Sequence, residues 1–329
     1  MTGPSVRVGV IGTGFGARVV APAFAATEGC EVVDVVTSRD DAAVRTVCHR
    51  TDVDLISVHS PPFLHATHVR EAMAAGHAVL CDKPFGLDAS ESAAVLAEAD
   101  AAGIVHLLNF EFRHDPVRAR LHELVTGGAI GAIEHVQWTH VTSGSRVPLR
   151  PYGWLFDQAL GGGWIGAWGS HAVDALRWML GEVVAARGER RVTVTERPDA
   201  QGRAHAVDAE DGFTARLELE SGATAVLDST FAATASLAPR LVVTGSDGVV
   251  ECVADARLTV RRTDGTRETF ARPDTDGDPH LVPMRRWAEV VRDAVRAGTP
   301  VAPTFADGWA CDVVLDALRS GPRRPSPPA

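Results

Sequence analysis

The chain has 329 residues, 45% of them hydrophobic and 22% charged, which suits two globular domains with substantial cores. Its formal net charge at pH 7 is −10, which disfavours nucleic acid and anionic membrane surfaces as partners. Because the sequence shows no leader-like or membrane-spanning segment and scatters its five cysteines without a CxxC pair, we expect a cytoplasmic protein with reduced thiols and no metal site.

The first part of the chain alternates strand and helix patterns. Short apolar runs predict strands at 6–11, 31–36, 55–60, 77–82 and 104–110. Alanine-rich segments predict helices at 16–27, 65–76 and 90–103. Such alternation is typical of parallel βαβ units. We therefore predict an α/β domain with a parallel sheet over residues 1–112.

A glycine-rich motif lies between the first predicted strand and the first predicted helix. It reads Gly12-Thr13-Gly14-Phe15-Gly16-Ala17. In the dinucleotide-binding fingerprint, the first glycine permits a tight turn, the second lets the pyrophosphate approach the backbone, and a small third residue lets helix and strand pack closely. The alternative is an ordinary glycine-rich turn, but the strand before it and the helix after it favour a Rossmann domain.

The end of the second predicted strand bears on the choice of cofactor. NAD sites usually place an acidic residue there to hold the ribose 2′-hydroxyl. This chain has Thr37, Ser38 and Arg39 before Asp40. A hydroxyl and a cation suit a 2′-phosphate, so we expect NADP to be preferred to NAD, although Arg39 could equally be an exposed turn residue.

The third and fourth predicted strands end in further candidate binding residues. Ser60, Pro61 and His65 follow the third strand, and Asp82-Lys83-Pro84 follows the fourth. The carboxyl ends of parallel strands form the ligand crevice of such a sheet. Lys83 is the only lysine among 32 basic residues, and a lysine can stabilise an alkoxide or exchange a proton, which arginine cannot. The alternatives are strand termination, a helix cap at His65 and a surface lysine.

After about residue 130 the hydrophobic pattern acquires the period of two that is typical of strands. Predicted strands lie at 133–141, 190–196, 213–220, 223–231, 240–245, 249–253 and 257–262. Turn sequences separate several of them, which predicts a mostly antiparallel sheet over 113–303. We expect helices near 168–180 and 283–297 to pack against this sheet. The last helix, about 304–320, should pack back on the first domain, and the tail 322–329 should be disordered.

A second glycine-rich segment, 161–174, contains two tryptophans, a histidine and an aspartate. The dense glycines suggest backbone packed close to a ligand, and His171 and Asp174 are spaced to share a helix face. A lone histidine on a helix is more often a packing residue than a catalyst. The neighbouring glycines nevertheless make His171 a candidate catalytic residue.

Taken together, these motifs resemble the glucose–fructose oxidoreductase/inositol dehydrogenase (Gfo/Idh/MocA) family. The resemblance runs from VGVIGTGFGA through SPPFLH, AGHAVLCDKPFG, FEFRHDP and GGGWIGAWGSHAVDALRWMLG to the FADG helix. It implies NADP- or NAD-dependent hydride transfer on a secondary alcohol or ketone of a sugar, cyclitol or sugar-like metabolite. It also implies that Lys83 lies near the nicotinamide and that His171 acts on the substrate oxygen.

The same resemblance extends to substrate contacts and assembly. The substrate candidates are Arg113, Trp164, Trp168 and Asp174. A homo-oligomer, dimer or tetramer, is expected through the open face of the large sheet.

Two departures from the family pattern stand out. Many members have an aspartate four residues before the histidine, where this chain has Ala167. Asp174, Asp157 or Tyr152 could compensate for the missing carboxylate. The segment 37–52 is also short for a crossover that contains an extra strand, so we predict no strand there, at most one short helix, and the second strand at the sheet edge. A non-redox activity, such as a lyase or isomerase step, and a non-catalytic dinucleotide- or sugar-binding role remain alternatives.

Overall fold

The computed structural model describes residues 4–272 and 277–324. The described residues form two compact units. The first unit draws on Met1–Asp115 and Thr275–Val313, and the second on Pro116–Asp274 and Val314–Ala329. The first unit therefore takes a late segment of the chain that sequence patterns assigned to the second domain.

Strands and helices alternate in the first part of the chain, and strands dominate after it. The strands are β1 (Val6–Ile11), β2 (Cys30–Val36), β3 (Leu55–Val58), β4 (Ala78–Cys81), β5 (His106–Leu108), β6 (Ile133–Val141), β7 (Val183–Arg191), β8 (Glu196–Pro198), β9 (Ala204–Ala206), β10 (Gly212–Leu219), β11 (Thr224–Thr230), β12 (Arg240–Gly245), β13 (Gly248–Val253), β14 (Arg257–Arg262), β15 (Arg267–Ala271) and β16 (Arg323–Arg324). The helices are α1 (Ala21–Ala25), α2 (Asp41–Cys48), α3 (His65–Ala74), α4 (Ala89–Ala102), α5 (Pro116–Thr126), α6 (Ser170–Leu180), α7 (Leu281–Ala297) and α8 (Phe305–Arg319). Each described helix is too short or too polar to cross a membrane.

The first unit is built on a five-stranded sheet of order β2-β1-β3-β4-β5, and all of its strand pairs are parallel. The segment between β2 and β3 contains a single helix, α2, and β2 lies at the sheet edge. This confirms the predicted parallel sheet without an additional strand in residues 37–52. The order also sets β2 and β5 at opposite edges, which separates the two ends of the ligand crevice.

Helix α7 packs in the first unit, so its predicted place against the antiparallel sheet was wrong. Its Trp287 has no exposed surface and lies in a cluster with Val6, Phe24 and Leu107. The apolar stripe of the helix gave no indication of which sheet it would cover, because an amphipathic pattern specifies a buried face but not its partner.

The second unit is built on a nine-stranded sheet of order β15-β14-β13-β12-β6-β11-β10-β7-β16. Most neighbours are antiparallel, but β6 pairs with β11 and β7 with β16 in parallel. The mostly antiparallel sheet predicted from sequence is thereby confirmed. A separate hairpin joins β8 to β9.

Two local predictions in this unit were wrong. The strand predicted at 190–196 is interrupted, because the carboxylate of Asp211 accepts the backbone N–H groups of Thr193 and Val194 in place of a strand partner. The tail predicted to be disordered from 322 begins with β16, whose Arg323 and Arg324 pair with β7. Residues 325–329 of that tail lie outside the described residues.

Candidate cofactor and active site

The glycines of the motif after β1 meet different surroundings. Gly12 has a φ of +131°, and a Cβ there would lie 2.4 Å from the carbonyl oxygen of His59. A Cβ on Gly16 would lie 3.0 Å from Val10. A Cβ on Gly14 would meet no heavy atom within 4 Å. Packing within the protein therefore requires glycine at position 12 and leaves little room for a Cβ at Gly16, whereas Gly14 leaves bare backbone facing open space, as an approaching pyrophosphate would need.

The residues of this motif differ in exposure. Thr13 and Gly14 are exposed, whereas Phe15 and Ala17 are half-buried. The helix that follows starts with a π-helical turn, Gly16–Val20, before α1. Its N-terminal backbone is the part of a Rossmann fold that binds phosphate.

The first acidic residue after β2 caps the helix that follows it. The carboxylate of Asp40 accepts the N–H groups of Ala42 and Ala43 at 3.0 and 3.1 Å, so Asp40 is the N-cap of α2. Ser38 is buried and Arg39 is exposed. Arg39 is thus an exposed cation close behind β2, next in sequence to the buried hydroxyl of Ser38.

A polar network lies behind Lys83 at the carboxyl ends of β3, β4 and β5. Asp82 contacts the Nδ1 of His59 at 3.2 Å and accepts hydrogen bonds from the backbone N–H of Lys83 at 2.9 Å and the Nδ2 of Asn109 at 3.3 Å. The Nε2 of His59 contacts the hydroxyl of Ser57 at 2.7 Å. Burial alone would raise the pKa of Asp82, but the hydrogen bond from His59 and the charge of Lys83 hold it well below its usual range. Asp82 is thus a carboxylate that orients the half-buried Lys83 turn.

His59 was not predicted as a site residue, although a polar residue directly after the last apolar residue of the third strand is a usable signal. His59 links two predicted elements, because its carbonyl faces Gly12 and its ring contacts Asp82. The glycine-rich turn and the lysine turn are therefore joined through one buried histidine.

His65 connects the loops after β3 and β4. Its Nδ1 lies 2.9 Å from the carbonyl oxygen of Pro84, and its Nε2 lies 2.8 Å from that of Ser60. Burial lowers the pKa of His65 below its ordinary value, although the negative charge of Asp82 acts in the opposite direction. The loop candidate Pro61 is half-buried beside Ser60. His65 thus anchors these loops rather than serving as a helix cap.

In the second unit, α6 carries His171 and Asp174, both of which are buried. A π-helical turn, Ile165–Gly169, precedes this helix, and the hydroxyl of Ser170 donates to the carbonyl of Gly166 at 2.7 Å. The predicted helix near 168–180 is therefore present, with both candidate side chains on it.

The glycine run before α6 is required by the protein's own atoms. A Cβ on Gly162 would lie 2.4 Å from the carbonyl oxygen of Trp154, and one on Gly163 would lie 2.3 Å from Oε1 of Glu210. Glu210 is buried, accepts the N–H of Ile165 at 3.0 Å, and has a pKa raised by burial. The glycines were predicted to be backbone packed close to a ligand, and Glu210 was not predicted from the sequence. The close approach at Gly163 is to a carboxylate of the same unit.

The candidate tryptophans lie in an aromatic cluster. Trp164 stacks on Phe231 at 4.4 Å between ring centroids, and its Nε1 donates to the hydroxyl of Ser229 at 2.7 Å. Trp168 is buried and lies 5.0 Å from the ring of His140. Burial lowers the pKa of His140 to about 4, so this ring is neutral near pH 7. His140 was not predicted as a site residue. Because side chains alternate along a strand, its position two residues after Trp138 in β6 indicates that both lie on the same face of the sheet.

Three remaining candidates have partners within their own units. Arg113 pairs with Asp307 at 2.7 Å in the first unit. Tyr152 donates its hydroxyl to Asp157 at 3.2 Å, and the other carboxylate oxygen of Asp157 accepts the N–H of Ala159. These contacts tie each of the three side chains to its own unit.

Family models match most of the chain. The model described as "Oxidoreductase family, NAD-binding Rossmann fold" matches residues 6–110, and the model described as "GFO/IDH/MocA C-terminal domain" matches residues 119–251.

Curated relatives include sugar and cyclitol dehydrogenases. Inositol 2-dehydrogenase 3 of Saccharopolyspora erythraea is 27% identical over 96% of this chain and 94% of its own length. D-xylose 1-dehydrogenase (NADP(+)) 2 of Haloferax volcanii is 31% identical, over 64% of this chain and 68% of its own length. Levoglucosan dehydrogenase of Pseudarthrobacter phenanthrenivorans is 29% identical over 51% of this chain, and the match spans less than half, 43%, of that relative.

A solved structure shows the same fold. Levoglucosan dehydrogenase in complex with NADH and levoglucosan matches with a TM-score of 0.86, covering 96% of each chain at 22% identity. The two family models and the xylose dehydrogenase relative agree with the resemblance seen in the motifs. The chain belongs to the GFO/IDH/MocA family of oxidoreductases with an NAD-binding Rossmann domain.

Proposed function

We propose that the protein catalyses reversible hydride transfer between a nicotinamide cofactor and a secondary alcohol or ketone of a sugar, cyclitol or sugar-like metabolite. The observation that carries this proposal is the position of Lys83. The chain's sole lysine follows β4 at the carboxyl edge of the parallel sheet, and Asp82 and His59 tie its turn to the glycine-rich turn. The sequence relatives named above support the substrate class.

Lys83 and His171 are assigned complementary roles. A cationic Lys83 stabilises the substrate oxygen as it becomes an alkoxide, and a histidine is suited to moving the proton near neutral pH. Trp164, Trp168, Arg113 and Asp174 remain proposed substrate contacts, although Arg113 already pairs with Asp307.

The cofactor is proposed to be NADP in preference to NAD. One carboxylate oxygen of Asp40 is engaged as the N-cap of α2, and Ser38 with Arg39 suits a 2′-phosphate. The xylose dehydrogenase relative is named for NADP as well.

The assembly is proposed to be a dimer or tetramer formed through one face of the nine-stranded sheet. Register places Gln137, Thr139, Arg216 and Asp228 on that face, and all four are exposed. Light scattering would test the oligomer, and variants on this face would test the interface. We place the enzyme in the cytoplasm, in keeping with scattered cysteines that are mostly buried.

The function is tested by titrating the protein with NADPH and NADH and then assaying a panel of sugars and cyclitols for nicotinamide turnover. Lys83→Ala and His171→Ala should each lower turnover by roughly 10²- to 10⁴-fold. Lys83→Arg should also lower turnover, because a planar, forked guanidinium cannot take the place of the compact ammonium beside the substrate oxygen. Dinucleotide binding should survive in His171→Ala. Full turnover by Lys83→Ala would reject the proposed chemistry.

A further inference from the structure

A buried carboxylate lies just after β5 in the first unit. The side chain of Glu111 is 1% exposed, and its Oε1 lies 2.6 Å from Nδ1 of His280. Its Oε2 is buried and has no hydrogen-bond partner among the described residues. A carboxylate in this environment is costly unless a positive charge compensates it. Among the described contacts, the imidazole of His280 is the group that pairs with this carboxylate.

The ring of His280 is held from several sides. It meets the ring of Phe15 edge-on at 5.1 Å, with an interplanar angle of 78°, and lies 4.8 Å from the ring of Phe112. His280 immediately precedes α7, and its carbonyl accepts the N–H of Met284 at 2.9 Å. The start of α7 and Glu111 thus fix this imidazole against the side chain of Phe15.

Phe15 makes this position relevant to the cofactor. It is the residue after Gly14, whose bare backbone faces the open space at the glycine-rich turn. Glu111 follows β5, at the sheet edge opposite β2. Because the end of β2 recognises the adenosine ribose, this opposite side belongs to the nicotinamide half of a bound dinucleotide.

We propose that His280, oriented by Glu111, is a cofactor-binding residue that presents its imidazole to the nicotinamide-side phosphate and ribose of the dinucleotide. The proposal rests on the proposed function, since it takes the cofactor to be a nicotinamide dinucleotide. The contact with Nδ1 of His280 engages the Glu111 carboxylate, which would otherwise repel the pyrophosphate. Donation from Nδ1 to Glu111 fixes the ring and directs its remaining polar atom, Nε2, away from the carboxylate.

Three variants separate binding from packing. His280→Phe keeps an aromatic ring against Phe15 and Phe112 but leaves the carboxylate uncompensated. Glu111→Gln removes the charge, and the double variant removes both members of the pair. His49→Phe is the matched control, because His49 pairs with Glu71 at 2.9 Å on the exposed surface of the same unit.

The measurements are thermal unfolding without ligand and fluorescence titration with NADPH. His280→Phe should melt lower than the parent, and the double variant should regain most of that loss. NADPH affinity should fall by about 10- to 100-fold in His280→Phe and in the double variant, because the contact between the imidazole and the charged phosphate is lost. His49→Phe should bind NADPH like the parent. The probe 2′,5′-ADP lacks the nicotinamide half, so its affinity should be unchanged in the double variant.

Two outcomes would overturn the inference. If the double variant binds NADPH as tightly as the parent, His280 serves packing alone. If the double variant loses as much affinity for 2′,5′-ADP as for NADPH, His280 acts on the fold of the whole cofactor site. A parent protein that binds no dinucleotide would instead reject the proposed function, so the two failures are distinguishable.

Discussion

Alanine at Gly12 and at Gly14 should have opposite consequences, although the two glycines are neighbours in one motif. At Gly12 the φ of +131° is unfavourable for an L-residue, at about 1–3 kcal/mol. The added Cβ would also lie 2.4 Å from the His59 carbonyl, closer than packed atoms tolerate. Relief requires β3 to move from β1, where the His59 N–H donates to Ile11 at 2.7 Å. We expect a loss of about 3 kcal/mol or more in the free energy of unfolding.

At Gly14 the added methyl group meets no protein atom within 4 Å. The free energy of unfolding should therefore change by less than about 1 kcal/mol, and a reduction in unfolded-chain entropy can make the change favourable. The methyl group instead occupies space needed by the pyrophosphate. Losing hydrogen bonds to a charged group should weaken NADPH binding by about 10- to 100-fold.

Thermal unfolding and NADPH titration of both variants provide the assay. For Gly12→Ala the midpoint should fall by about 6–12 °C, at roughly 2–4 °C per kcal/mol for a domain of this size. Gly14→Ala should melt close to the parent and bind NADPH poorly. A Gly14→Ala protein that binds NADPH like the parent would refute the reasoning, as would a Gly12→Ala protein of unchanged midpoint.

Gly163→Ala should lower the free energy of unfolding by about 2–4 kcal/mol, because φ is +110° and the Cβ would displace buried Glu210. Gly153→Ala is the control, with extended backbone and no atom within 4 Å, and equal urea midpoints for the pair would contradict this expectation. The pKa of His68 is lowered by burial from 6.5 to about 4, so the unfolded state binds its proton first and stability should fall as pH drops from 6.5 towards 4. The loss is at most about 3 kcal/mol, and His68→Gln should flatten that slope in a pH series of unfolding curves. Arg39→Ala should reduce the preference for NADPH over NADH by about 10- to 100-fold, and equal affinities in the parent would reject the preference.

Local chemistry explains why much of the fold could be predicted from the sequence. The parallel sheet followed from apolar runs bounded by turns, and the missing strand between β2 and β3 followed from the length of that segment alone. The family followed from motifs such as GTGFGA and DKP, because their residue types are demanded by turn geometry and cofactor chemistry. These features depend on neighbours a few residues apart, which the sequence displays directly.

Contacts between distant segments were decided only by the tertiary structure. Trp287 lies in the core with Val6, yet nothing in the hydrophobic pattern of α7 indicates which sheet it covers. The same holds for Glu210 beneath Gly163 and for Asp211 interrupting the strand at Thr193. A residue's type states which partners it can accept, but burial and hydrogen-bond saturation select the partner only once the chain has folded. The sequence therefore determined the chemistry available to this protein, and the fold determined which groups meet to use it.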